Sequence, residues 1–104
     1  MWICCDAKGA SYHVGNILSS DIFYEERADV NAKWARMGVL AVEMEASALY
    51  MNAARAGKRA LTICTVSDHL LTGERLSSEE RQSGLLQMLE VGLETGLAAN
   101  QMFC

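Results

Sequence analysis

The stretch GVLAVEMEASALY, residues 38–50, decides the fold, because three local signals meet in it. Gly38 follows a short amphipathic pattern and suits the left-handed backbone that ends a helix. Residues 39–42 (VLAV) form a continuous apolar run, the signature of a strand buried on both faces. Glu45 then opens a second helical pattern, with Ala46, Leu49, Tyr50 and Ala53 spaced three and four apart and Gly57 as its stop. Helix, strand and helix are thus read within twenty-odd residues.

Upstream, residues 12–18 (YHVGNIL) read as a strand weakened by Gly15, and residues 19–26 as a loop carrying two exposed aromatics, Phe23 and Tyr24. Asp29 is placed to cap the helix that follows, with Trp34 and Met37 three apart on one face. Downstream, residues 60–66 (ALTICTV) are rich in β-branched side chains and read as another buried strand. Ser77-Ser78-Glu79-Glu80 is a capping box, after which Leu85, Met88, Leu89 and Leu93 make an apolar stripe. Gly84, Gly92 and Gly96 each cost that helix about 1 kcal/mol relative to alanine, so it needs packing to persist. Alternation of this kind predicts an α/β fold, a mostly parallel or mixed sheet covered by helices on both faces in a partial three-layer α/β/α arrangement.

Composition narrows the function. With 104 residues and 51% hydrophobic content the chain suits one domain. Its formal charge is −4 and its nine basic residues are scattered, which argues against a nucleic-acid partner. Cys4 and Cys5 are adjacent, Cys64 lies in an apolar run and Cys104 is last, so reduced thiols in the cytoplasm are expected rather than a disulfide framework. No metal-type spacing joins these cysteines to His13 or His69. The apolar opening MWICC is too short for a membrane span or a signal, so no membrane partner is expected.

Ligands of open α/β sheets collect beyond the carboxyl ends of strands, and two places qualify. At Val42-Glu43-Met44-Glu45, two acids would point the same way if the chain stays extended, and paired carboxylates accept from neighbouring sugar hydroxyls. The alternative is that Glu45 simply favours a helix start through the dipole. At Ser67-Asp68-His69, Asp68 is a candidate acid, for which desolvation must raise its pKa; the alternative is a turn cap. His69, a lone loop histidine, reads as structural. Arg81 is a cation near a helix start, where the dipole disfavours it, so it needs an anionic partner: Glu79 or Glu80 on the surface, or Asp68. A lasting Arg81–Asp68 contact opposes proton donation, so an acid mechanism requires the arginine to move.

VGNILSSDIFY (14–24), GVLAVEMEASALY (38–50), ALTICTVSDH (60–69) and SSEERQ (77–82) together resemble the C-terminal half of the hexameric bacterial-type purine nucleoside phosphorylases. The resemblance implies phosphorolysis of purine (deoxy)ribonucleosides to free base and sugar 1-phosphate, with inorganic phosphate as co-substrate and no cofactor or metal. It assigns Glu43, Met44 and Glu45 to the ribose and Phe23, Val42 and Ser67 to the base. It makes Asp68 the acid that protonates N7 and Arg81 its helper. It also implies a homo-oligomer. Methylthioadenosine/adenosylhomocysteine nucleosidases resemble it at the VEMEA and SD segments, and uridine phosphorylases, with EMES, resemble it at residues 43–46 without the SDH acid; Asp68 with Arg81 favours the purine phosphorylases.

By this resemblance residues 14–97 are the C-terminal part of a nucleoside phosphorylase domain. Residues 1–13 match loosely, at Lys8 and Gly9, and the tail 98–104 departs from the family pattern. No phosphate-holding residue is expected within these 104 residues, since the family's glycine-containing loop and arginines belong to its N-terminal half. A non-catalytic fragment that self-associates or binds nucleoside weakly is the alternative reading, because a sheet lacking strands leaves an edge and an apolar face open.

Overall fold

The computed structural model describes Gly9 and residues 11–103, with backbone only at Met102 and Phe103. The apolar opening with Cys4 and Cys5, Lys8, and Cys104 lie outside the described residues. Two compact units divide the chain.

The first unit comprises Val14–Thr62 and Leu70–Gly73. It is built on a parallel pair, β1 (Asn16–Ser19) and β2 (Val39–Glu43), joined through helix α1 (Val30–Arg36). Parallel neighbours need a crossover, and the helix supplies it. The register sets Asn16 against Val39, Leu18 against Val42 and Ser19 against Glu43, with an irregularity after Asn16. That last pairing brings a hydroxyl and an acid together at the carboxyl ends of both strands. β2 then leads into helix α2 (Ala46–Arg55). Beyond it, the Tyr50 hydroxyl accepts from the Thr62 N–H at 3.0 Å and ties the returning chain to the helix.

Several expectations need correction here. The first strand starts at Asn16 rather than Tyr12; at Gly15 the Leu40 side chain lies over the backbone, where a Cβ would sit 2.7 Å from Leu40 Cδ1 and would make that exposed side chain shift. β2 is not buried on both faces, since Leu40 is 53% exposed. Within this unit it pairs only with β1, so one strand edge and part of one face stay open. Asp29 stands at the N-cap of α1 without a side-chain cap bond, its carboxylate engaged instead by Lys33 one turn along. Trp34 is half-buried, whereas Met37 caps the helix and is exposed. Gly38 adopts φ +83, the left-handed stop the sequence asked for.

The second unit contains Ile63–His69 and Glu74 onward, with the N-terminal residues. Its main element is helix α3 (Ser78–Phe103). Residues 60–66 form no strand. Their β propensity has no hydrogen-bonding neighbour to act on, since none of the described strands runs beside them, and propensity without a ladder does not make a sheet. The buried face of α3 also differs from the leucine stripe. Val91 and Thr95 are buried while Leu93 is 72% exposed. The inward line runs Gly84, Met88, Val91, Thr95, at helical spacing. Small residues serve there because segment 63–66 passes close: the Thr65 hydroxyl lies 3.2 Å from Met88 Sδ and 3.5 Å from the Gly84 carbonyl.

Among the described residues no helix is long and apolar enough to cross a membrane. Among the described residues twenty large hydrophobic side chains are exposed against two buried apolar residues, Ala46 and Val91, so the apolar surface expected of an incomplete sheet is present.

Candidate functional site

The acid at the end of β2 is held by three donors. Glu43 Oε1 accepts from the Ser19 hydroxyl, delivered by the strand register, while Oε2 accepts from the N–H groups of Glu45 at 2.6 Å and Ala46 at 2.5 Å. Ser19 Oγ in turn accepts the Ser47 N–H at 3.0 Å, and the Ser20 N–H donates to the Glu43 carbonyl at 2.9 Å. The opening N–H groups of α2 would otherwise lack partners, and Glu45, at the N-cap position, makes no side-chain cap bond. Glu43 therefore caps α2 from just outside it. The Ser19 hydroxyl holds its carboxyl below the ordinary value of 4.5, partial burial works against this, and the Ala46 and Glu45 N–H groups add to the lowering.

Chain direction changes at Met44. Glu45 has φ −122 and ψ −23, so the extended geometry that would have aligned the two acids ends with the strand. Glu43 turns inward, whereas Glu45 is exposed, its Oε2 accepting the Met44 N–H at 3.2 Å. Met44 is 41% exposed.

Beside this turn the same unit encloses a cleft of about 380 Å³. Val42 and Leu18 floor it from the two strands, Trp34 walls it from α1, and Phe23 and Tyr24 rim it from the loop after β1. The two aromatic rings meet edge to face with centroids 4.7 Å apart, and both residues are largely exposed. Arg27 braces that loop by donating to both carboxylate oxygens of Glu25. An apolar floor with aromatic edges accepts a flat heterocycle.

The second cluster lies in the other unit. Asp68 and Arg75 form an antiparallel bridge, closed by His69 N–H to the Glu74 carbonyl at 2.8 Å and Leu76 N–H to the Ser67 carbonyl at 2.9 Å. Asp68 Oδ2 accepts the Ser67 hydroxyl at 2.9 Å, and Oδ1 accepts Arg81 Nη2 at 3.2 Å, with Arg75 Nε at 4.0 Å. Arg81 is set by the helix start, where the capping box forms in both directions: Glu80 N–H donates to Ser77 Oγ at 3.1 Å and Ser77 N–H to Glu80 Oε2 at 2.7 Å. The Ser77 N–H, helped by the Ser77 hydroxyl, holds the Glu80 carboxyl below its ordinary value. Of the anionic partners open to Arg81, the structure selects Asp68. The carboxylate remains 40% exposed, so a ligand atom can approach it.

Sequence reasoning missed Ser19 and Arg75. Ser19 lies 24 residues from Glu43, and only the strand register joins them. Arg75 had a local signal: Gly73, at φ +77, turns the chain back so that Arg75 faces Asp68. Among the described residues no group of three His, Cys, Asp or Glu side chains is placed to hold a metal ion.

A parallel β-α-β unit whose second strand leads through a capping acid into a helix, and a separate aspartate beside two arginines, define an α/β protein. Residues 4–90 match the family model of the phosphorylase superfamily. Over 93 residues, 89% of this chain, it is 57% identical to the DeoD-type purine nucleoside phosphorylase of Jannaschia sp. (strain CCS1), of which it covers 40%. The same enzyme of Roseobacter denitrificans is 53% identical over 92 residues, with 88% of this chain and 39% of that protein covered. That of Geobacillus stearothermophilus is 52% identical over 90 residues, covering 86% and 38%. The chain belongs to the phosphorylase superfamily, and it spans about two fifths of the length of these curated relatives.

Proposed function

We propose that these residues handle the sugar and base in a purine nucleoside phosphorylase, a pentosyl-transferring enzyme of purine (deoxy)ribonucleosides. The observation that carries the reading is the Asp68–Arg81 pair, 3.2 Å apart, in a chain of this superfamily. A phosphate oxygen attacks C1′ of the sugar, the C1′–N9 bond breaks, and its electron pair passes to the purine. Asp68, as the carboxylic acid, gives its proton to N7 and is left as carboxylate, which makes the base a better leaving group. Arg81, on the first turn of α3, moves off the acid for the transfer and then stabilises the carboxylate left behind, and Ser67 holds the aspartate's second oxygen. Met44 and Glu45 receive the ribose hydroxyls with Glu43 behind them, and the negative charge of the two glutamates favours the cationic sugar that develops. Phe23 and Val42, both lining the cleft, take the base.

Phosphate is the co-substrate, and the reading calls for no other cofactor and no metal. Residues that hold phosphate are assigned to none of the positions described. The exposed leucines of α3 fit association of like chains into a homo-oligomer, and a cytoplasmic setting suits the Cys64 thiol.

The deciding experiment is phosphorolysis of inosine, guanosine and adenosine by the purified chain, followed as base release with and without phosphate. Phosphate-dependent release that Asp68→Asn abolishes supports the reading. Release independent of phosphate moves the chain to the nucleosidase hydrolases. Absence of both turnover and nucleoside binding leaves the non-catalytic, self-associating alternative.

A further inference from the structure

A two-residue staple sits under the segment assigned to the sugar. We propose that Ser19 is a positioning residue for the sugar, holding Glu43 so that the Met44–Glu45 turn keeps the shape that receives ribose hydroxyls. This rests on the purine nucleoside reading given above. Its basis is the geometry of β1, β2 and α2.

The Ser19 hydroxyl makes two bonds at once. It donates to Glu43 Oε1 and accepts the Ser47 N–H at 3.0 Å, so one oxygen joins the end of β1 to the end of β2 and to the first turn of α2. Glu43 Oε2 is filled by the N–H groups of Glu45 and Ala46. Both carboxylate oxygens are therefore used inside the turn, and the exposed acid next to it is Glu45. Residues 43–47 are pinned at four backbone N–H groups, those of Met44, Glu45, Ala46 and Ser47, by the side chains of Glu45, Glu43 and Ser19. Exposed side chains such as Met44 and Glu45 hold a ligand only where the backbone beneath them is fixed. A hydroxyl that donates to a carboxylate favours the charged form, so the Ser19 bond holds the Glu43 carboxyl below its ordinary value.

Without the hydroxyl, Glu43 Oε1 loses its donor and the Ser47 N–H its acceptor, so the carboxylate is free to rotate out of the turn. The base is assigned to Phe23 and Val42 in the cleft beside that turn; Ser19 also borders this cleft, but its hydroxyl is taken up by Glu43 and the Ser47 N–H, so removing it acts on the turn rather than on the base contacts. A sugar-positioning role therefore separates nucleoside from free base, whereas a purely structural role affects both.

Calorimetric titration of the chain with inosine and with hypoxanthine reads this difference in wild type, Ser19→Ala and Ser19→Thr. Ser19→Ala is expected to weaken inosine about tenfold, the scale of one charge-assisted hydrogen bond, and to leave hypoxanthine unchanged. Ser19→Thr, which keeps the hydroxyl, restores inosine. In parallel, the Glu43 side-chain carboxyl carbon followed by NMR titration should move up in pH in the alanine variant and return in the threonine variant. Equal weakening of inosine and hypoxanthine overturns the positioning role, and so does an unmoved Glu43 titration. A wild-type chain that binds neither compound overturns the purine reading itself and the sugar role with it. The NMR arm then still reports whether Ser19 holds Glu43, so the two failures are told apart.

Discussion

Gly84→Ala and Gly96→Ala, compared in the same chain, weigh helix propensity against packing. Both glycines lie inside α3, where alanine is better than glycine by about 1 kcal/mol. A Cβ at position 96 meets nothing within 4 Å, so the full gain should appear, raising the melting temperature by roughly 4–8 °C for a domain of this size. A Cβ at position 84 would lie 3.0 Å from Thr65 Cγ2, a β-branched methyl that cannot swing aside as a long side chain would. Overpacking of that kind costs about 1–3 kcal/mol, so the net at position 84 should run from no change to a loss of about 2 kcal/mol. Urea denaturation followed by circular dichroism at 222 nm measures both. Equal stabilisation by the two substitutions would refute the placement of segment 63–66 against the glycine face of α3.

Ser77→Ala removes the acceptor for the Glu80 N–H and should cost about 1 kcal/mol in the same urea assay, with Ser77→Asp restoring most of it. The Glu43 and Glu80 carboxyls both lie below their ordinary value of 4.5, Glu43 chiefly through the Ser19 hydroxyl and Glu80 chiefly through the Ser77 N–H. Such groups bind fewer protons folded than unfolded near that value, so their stabilisation is present above pH 4.5 and is lost as the pH falls through the folded values. Urea midpoints measured downward from neutrality should drop below that point, and less so in Ser19→Ala.

Features that were legible in the sequence are those settled within one turn of chain. Gly38 stops α1, Gly57 follows α2 with φ +62, and Ser77 with Glu80 opens α3, each because the partner groups lie within four residues. Residues 60–66 were misread because a strand is a relation between two segments, and the second segment is not among those described. The α3 stripe was misread for a related reason. Counting leucines finds the most apolar face, whereas the face that packs here is chosen by how closely Thr65 approaches, which favours Gly84 and Met88. In the site, Arg81 was singled out by a local misfit, a cation at a helix start, and Asp68 by its place after the apolar run 60–66. Ser19 offered no such misfit, since its partner is fixed only by register.

The two acids are held in physically different ways, and the difference matches what each would have to do. Glu43 is bound by the Ser19 hydroxyl and by the N–H groups of Glu45 and Ala46, which belong to the start of a helix and cannot leave without unwinding it. Asp68 is bound by side chains: Arg81 and Arg75, 49% and 79% exposed, and the Ser67 hydroxyl. Exposed guanidiniums reorient by rotamer changes on nanosecond timescales, far faster than backbone rearrangement. A turn that presents Met44 and Glu45 to sugar hydroxyls would have to persist through bond cleavage, so a backbone-anchored carboxylate beneath it suits that role. An acid must release its partners for the base nitrogen to reach it, so one dressed by mobile arginines suits proton transfer. Under the proposed reading, the fixed acid at the end of β2 would hold the turn that carries Met44 and Glu45, and the releasable one beside α3 would serve the base.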